Sequence, residues 1–95
     1  MANYIAVSTS SQVGLDFTLL ATDLCTLLLI DGSTQPYLER GASALIQVKT
    51  SSGNYMTIGQ LTKDDPIKTI SGAGTYRVVT AAFTSNGTGI GVDKN

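Results

Sequence analysis

The second half of the chain, residues 41 to 93, is a succession of short segments in which apolar and polar residues alternate. Turns rich in Gly, Ser and Asn separate the segments, at 51–54, 71–74 and 85–87. A period of two places successive side chains on opposite faces of a β-strand. Short alternating segments joined by tight turns predict antiparallel strands, of which residues 75–84 form the longest.

The first half of the chain follows the same pattern less clearly. Residues 13–21 predict a strand with Val13, Leu15, Phe17 and Leu19 on one face, and residues 24–30 predict a nearly continuous apolar strand. A helix over residues 15–30 competes, but the period of two and the following Asp31-Gly32 turn favour strands. About eight short strands in one domain, residues 13–95, predict an all-β antiparallel sandwich that is jelly-roll-like or immunoglobulin-like. Residues 1–12 are predicted to form an N-terminal arm or an edge strand.

The composition predicts that the protein has an interface with other copies of itself or with a partner. The chain has 95 residues, of which 42% are hydrophobic and only 14% are charged, against roughly 25% charged residues in typical soluble domains. So small a domain has little polar surface with which to cover its apolar residues. Self-association or docking on a larger assembly would cover the excess apolar area.

The charge pattern argues against nucleic acid and anionic membrane surfaces as partners. The net charge is -1, and the six basic residues are scattered along the chain, whereas phosphate binding requires clustered Lys and Arg. Cys25, the one cysteine, lies among leucines and is predicted to be a buried, inert thiol. The N-terminus lacks the basic and apolar regions of a signal peptide, which predicts synthesis in the cytoplasm.

Each candidate for chemistry has a simpler structural explanation. Asp64 and Asp65 precede Pro66 and predict a solvated loop, and the glycines of residues 71–74 precede a strand rather than the helix of a phosphate loop. Asn86-Gly87-Thr88 matches a glycosylation sequon but also predicts a hairpin turn. Histidine is absent, which removes the usual general base and the usual zinc ligand. We therefore predict no catalytic, cofactor or metal site, and a protein that is not an enzyme.

Residues 41–92 resemble small β-sandwich virion proteins of tailed bacteriophages. The resemblance rests on Gly74, Tyr76, Arg77 and the turn at residues 85–87, after a strand, a Ser/Gly turn and an aromatic-led return strand. Many of those proteins carry Trp where this chain has Tyr55. The resemblance implies a capsid decoration (cement) protein on the virion surface, which binds between major capsid protein subunits, stabilises the head and forms a homo-oligomer, with a trimer favoured.

The resemblance leaves other roles open, and the N-terminus supplies a mechanistic hypothesis. A tail, neck or fibre protein of the same fold is the first alternative, and a small carbohydrate-binding module with a flat row of aromatic rings is the second. Tyr4 lies in a short segment with little core of its own to join, so the segment could add a strand to a neighbouring sheet. The predicted interface residues are Ala2, Asn3, Tyr4, Ile5 and Val7.

Overall fold

A computed structural model describes all 95 residues, which form nine β-strands and no helix. The strands are β1 (Ala2–Ser8), β2 (Gln12–Val13), β3 (Phe17–Leu19), β4 (Leu24–Asp31), β5 (Ser43–Lys49), β6 (Tyr55–Thr62), β7 (Ile67–Ser71), β8 (Gly74–Thr80) and β9 (Ile90–Lys94). The first sheet has the order β1-β9-β4-β7. The second sheet has the order β2-β8-β5-β6, with β3 also paired to β8. The all-β antiparallel sandwich predicted from the sequence is confirmed.

The strand pairing is that of one long hairpin folded over on itself. β5 pairs with β6 at its tip, β4 with β7, β2 and β3 with β8, and β1 with β9. Folding this hairpin over places β9 beside β4 and β8 beside β5. With β2 and β3 taken as one interrupted strand, this is the eight-stranded jelly roll. In an immunoglobulin domain the first and last strands lie in different sheets, whereas here they pair.

Alternating residues of the central strands form the core between the sheets. Cys25, Leu27 and Leu29 of β4 point inward and are almost completely buried, as are Ile46 of β5 and Val78 of β8. The other almost fully buried apolar residues include Leu61, Ile90 and Val92. Burial raises the pKa of the Cys25 thiol, because a thiolate loses its hydration there. The predicted buried position of Cys25 is confirmed, and the competing helix does not form.

The first strand lies at the edge of its own sheet and contributes to the core. Its pairing with β9 contains a bulge, since Asn3 faces Asp93 and Ile5 faces Val92, which leaves Tyr4 as an extra residue. The bulge allows two consecutive side chains to point inward. Ile5 is buried, and the half-buried Tyr4 ring packs edge-to-face on Phe17 with 5.5 Å between centroids. The expectation that Tyr4 has little core to join is therefore wrong.

The strand predicted over residues 13–21 is interrupted. Gly14 donates its backbone N–H to the Val78 carbonyl, while the Tyr4 hydroxyl donates to the Leu15 carbonyl and occupies the space that a side chain at Gly14 would need. The chain turns there, so Val13 and Leu15 are exposed while Phe17 packs on the core. The prediction that these side chains share one face is wrong because Tyr4, which is distant in sequence, interrupts the strand at Gly14.

The strand predicted over residues 75–84 is shorter than expected. β8 ends at Thr80, whereas β4 extends one residue beyond the predicted range of 24–30. Beyond Thr80 the chain leaves the sheet, where the Phe83 N–H donates to the Thr9 carbonyl. The Phe83 ring then covers Gly41, whose φ of 102° suits glycine. The apolar sequence continues past the end of β8 because the Phe83 ring packs against Gly41 and the core, outside the sheet.

Gly91 is expected to be required for β1 to pair closely with β9. A Cβ at this position would collide with the backbone oxygen of Ile5, so Gly91→Ala must displace β1. We expect a loss of about 1–3 kcal/mol in the free energy of unfolding, as for other overpacked sites, measured by urea denaturation. Gly59→Ala is the matched control, because its Cβ would make ordinary contact with Ile46 at 3.6 Å. Equal stability of the two variants would contradict the close approach of β1 to β9.

Candidate docking surfaces

The outer face of the first sheet is apolar along its central strand. Because Cys25, Leu27 and Leu29 point inward, the alternate residues of β4 point to solvent. Three of these four residues are apolar, and Thr26 is the polar one. We name as the β4 face the three apolar residues and the neighbour of Leu28 on β7: Leu24, Leu28, Ile30 and Ile67. Leu24 is 70% exposed and Ile67 is 51% exposed. Leu28 and Ile30 are half-buried. The six-residue spacing from Leu24 to Ile30 corresponds to about 20 Å along the strand, with Thr26 between Leu24 and Leu28.

Polar contacts also lie within the β4 face. The Thr26 and Thr69 hydroxyls lie 3.0 Å apart across the β4–β7 pair. Asn95 accepts from the Thr26 N–H through its side-chain oxygen at 2.8 Å and donates its own N–H to the Thr26 carbonyl. The nearest charged residue on this face is Asp93, opposite Leu28 on β9. The face therefore combines apolar side chains with the Thr26–Thr69 pair, and the Asp93 carboxylate lies beside Leu28.

The outer face of the second sheet has a different chemistry. Arg77 of β8 places its guanidinium carbon 3.5 Å from the centroid of the Tyr55 ring, and its Nε donates to Gln47 Oε1 at 2.9 Å. The Tyr55 hydroxyl donates to the Asp16 carboxylate, with oxygen–oxygen distances of 2.6 and 2.7 Å. We name this surface the Tyr55 face: Asp16, Gln47, Lys49, Tyr55 and Arg77.

The electrostatics of the Tyr55 face follow from these contacts. The hydrogen bond to Asp16 raises the pKa of Tyr55, with a smaller contribution from desolvation. The phenol therefore remains a neutral donor to the carboxylate. An apolar row borders the polar group, since Val13 pairs with Val79 and Val79 pairs with Leu45 across three adjacent strands. The surface thus combines an aromatic ring, an ordered guanidinium and exposed apolar side chains.

A cleft of about 400 Å³ lies at one end of the sandwich. Its lining comes from the end of β4, the loop at residues 32–42 and the turn between β6 and β7, and includes Asp31, Tyr37, Leu38 and Lys63. Asp31 accepts from Ser33 on one oxygen and from Ser85 and Asn86 on the other. Both carboxylate oxygens are already used within the chain, so their role is structural.

Hydrogen bonding to Asp31 lowers the pKa of its carboxyl group. Burial is the largest single contribution and raises the pKa, but the bonds from Ser33, Asn86 and Ser85 together outweigh it. Asn86 donates both to Asp31, at 3.1 Å, and to the Tyr37 carbonyl, at 2.8 Å. Its φ of 52° and that of Gly87, 80°, form the predicted hairpin turn. The Asn86 amide of the sequon is thus engaged within the fold.

The predicted interface residues differ in burial. Ala2, Asn3 and Val7 are exposed on β1, whereas Ile5 is buried and Tyr4 is half-buried against Phe17. One edge of β1 is already paired with β9 of the same chain. The role of these residues at an interface stays a prediction. Ile5 is inaccessible to a partner while β1 stays paired, and Tyr4 is accessible only in part.

The predicted loop chemistry is also visible. Asp65 forms an ion pair with Lys68 at 2.8 Å and bonds through its backbone to Thr62, while Asp64 is exposed. Gly72 has a φ of 107°, and the loop at residues 72–73 joins β7 in one sheet to β8 in the other. These segments are turns between strands, as predicted.

Sequence reasoning missed both outer faces. The pairing of Asp16 with Tyr55 joins residues 39 positions apart, so no local pattern indicates it. The β4 face did have a signal, since residues 24–30 are apolar at nearly every position, although strands with one solvated face normally alternate. No helix is present that could cross a membrane. No family model, curated protein or solved structure matches the chain.

The Asp31 cluster predicts a pH dependence of stability. The folded-state pKa of Asp31 is lowered, so its contribution is complete above the unfolded pKa of about 3.9 and is lost as the pH falls through the folded pKa. At pH 7, Asp31→Asn should cost about 1–3 kcal/mol by leaving buried donors such as Ser85 without a charged acceptor. The difference from wild type should shrink in urea unfolding below pH 4. Asp64→Asn, in the exposed loop, is the control, and a pH-independent effect of Asp31→Asn would contradict the assignment.

Proposed function

We propose that this chain is a non-enzymatic structural protein that docks on a larger protein assembly through the β4 face. More specifically, we propose a capsid decoration protein of a tailed bacteriophage, which binds between major capsid protein subunits on the virion surface and stabilises the head. The observation that carries the docking proposal is the outward exposure of Leu24 and Ile67 beside Leu28. The phage assignment rests on the sequence resemblance and on the jelly-roll topology, which viral capsid domains share.

The physical argument for docking starts from the cost of exposed apolar surface. A sheet with one solvated face normally carries polar residues there, whereas β4 carries leucines and an isoleucine at three of its outward positions. Burying this stripe against another protein removes apolar area from water at about 25 cal/mol per Å². Association itself has an entropic cost, and a trimer that contacts several capsid subunits at once would offset it.

Two alternatives differ in how well the surface supports them. A tail, neck or fibre protein would use the same apolar face, so only its location on the particle separates it from a decoration protein. A carbohydrate-binding module requires a flat row of exposed rings. The Tyr55 face carries one ring, and the exposed Tyr37 ring lies apart from it in the loop between β4 and β5. Tyr76 is buried, and Phe17 stacks on it and meets Tyr4 edge-to-face inside the sandwich. The geometry therefore favours docking to protein.

The β4 face predicts the result of a capsid-binding experiment. Leu24→Ser combined with Ile67→Ser should lower the affinity for isolated phage heads by about tenfold or more, as for truncation of interface anchors. The measurement is cosedimentation of purified protein with heads that lack it. Ile58→Thr, 50% exposed on β6 in the other sheet, is a matched control. Undiminished binding by the double variant would contradict the role of the β4 face, and binding of wild type to tails alone would favour the alternative location.

Self-association is a separate expectation with its own measurement. Light scattering on the purified protein should show a homo-oligomer, with a trimer favoured, because a small domain with few charges exposes apolar area that copies can cover. The Leu24→Ser and Ile67→Ser variant distinguishes an oligomer built on the β4 face from one built elsewhere. A species of 9.9 kDa at high concentration would contradict self-association and leave docking on a capsid to be tested by cosedimentation.

A further inference from the structure

The Arg77 guanidinium is held in place but retains free donors. The Tyr55 ring contacts its face, and Gln47 accepts from Nε. Gln47 is itself fixed, since its Nε2 donates to the Thr57 hydroxyl at 3.4 Å. The two terminal nitrogens of Arg77 make no hydrogen bond within the chain, and the chain's one ion pair joins Lys68 to Asp65. An ordered guanidinium with free terminal N–H groups is suited to bidentate binding of a planar anion.

A second cation stands beside Arg77. Lys49 lies on β5, is exposed and places its Nζ 6.0 Å from the centroid of the same Tyr55 ring. The one carboxylate on this face, Asp16, bonds the Tyr55 hydroxyl and not the guanidinium. Two cations therefore flank the ring without a carboxylate partner in the chain, and complementary charge on a binding partner would be negative.

The apolar row beside these cations indicates what kind of partner segment would fit the surface. Leu45 and Gln47 are two residues apart on β5, and Val79 and Arg77 are two residues apart on β8. Rows of side chains at this spacing lie about 6.8 Å apart, the same distance that separates same-side residues of an extended peptide. Consider a partner segment that lies along the strands with residue i over Arg77. Its residue i+2 or i−2 would then place a side chain over Val79 and Leu45.

We propose that the Tyr55 face binds an extended segment of a partner protein that carries an apolar residue and a carboxylate two residues apart. The carboxylate contacts Arg77 and Lys49, and the apolar side chain covers the row of Val13, Val79 and Leu45. A polyanion such as nucleic acid fits this surface poorly, because it would require more than two cations and no apolar row. Tyr and Arg are also the residue types that most often dominate protein interfaces. This surface belongs to the sheet opposite the β4 face, so the inference does not depend on capsid docking.

The test is a nuclear magnetic resonance titration of the whole protein with two synthetic peptides. The first is acetyl-Val-Thr-Glu-Thr-Val-amide, and the second has Gln in place of Glu. We expect amide shifts in β5 and β8, with the Glu peptide binding about fivefold more tightly than the Gln peptide, the ratio for one exposed charge pair. Arg77→Gln should lower this ratio toward one, with Lys49 accounting for the preference that remains. Arg77→Lys keeps the charge without the planar fork of donors and should give a ratio between those of Arg77→Gln and wild type.

Two further variants keep the result interpretable. Lys63→Gln removes a positive charge from the exposed loop after β6 and should leave the ratio unchanged. Asp16→Asn removes the one negative charge on the face, keeps an acceptor for Tyr55 and should tighten the Glu peptide. Three outcomes would each overturn the proposal. They are equal binding of both peptides to wild type, amide shifts confined to strands other than β5 and β8, and a ratio of affinities that Arg77→Gln leaves unchanged in a folded variant. If the wild-type protein does not bind isolated phage heads but keeps its preference for the Glu peptide, only the proposed docking function is contradicted.

Discussion

The rest of the structure depends on the backbone pairing of β9 with both β1 and β4. β9 lies between the first strand and the central strand of its sheet, and its Ile90 and Val92 side chains contribute to the core. This position demands residues without side chains at Gly89 and Gly91, where a Cβ would collide with the backbone of β1. Because β1 and β9 are nearly the full chain apart, the sheet closes only when the ends of the chain meet.

The Asp31 cluster performs the corresponding task at the loop end of the sandwich. It joins the end of β4 to the turn before β9 through Ser85, which is completely buried and also accepts from the Glu39 backbone N–H. Asn86 extends the same network to the Tyr37 carbonyl. A carboxylate with both oxygens satisfied thus positions a long loop that has no strand partners of its own. The acid that the sequence showed only as part of a turn is a structural centre.

The two outer faces give the molecule two surfaces of different chemistry. The β4 face is apolar and suits a partner that buries area, whereas the Tyr55 face offers a fixed guanidinium and a neighbouring lysine beside an apolar row. The charges that the sequence showed as scattered are in part gathered by the fold, since Lys49 and Arg77 lie on neighbouring strands around one ring. The two surfaces belong to opposite sheets of the sandwich, so two partners can contact the molecule at once.

Composition and periodicity by themselves determined the all-β class, most strands, the turns at Gly53, Gly72 and Asn86-Gly87, and the excess of apolar surface that predicts an interface. These properties are local, because each follows from the steric preferences of a few adjacent residues. Only the tertiary structure decided the jelly-roll pairing, the interruption of the strand after Val13, the inward position of Tyr4 and the contacts of Asp31 and Arg77. Each of these depends on atoms distant in sequence, such as the Tyr4 hydroxyl above Gly14, whose approach is set by how the two sheets pack.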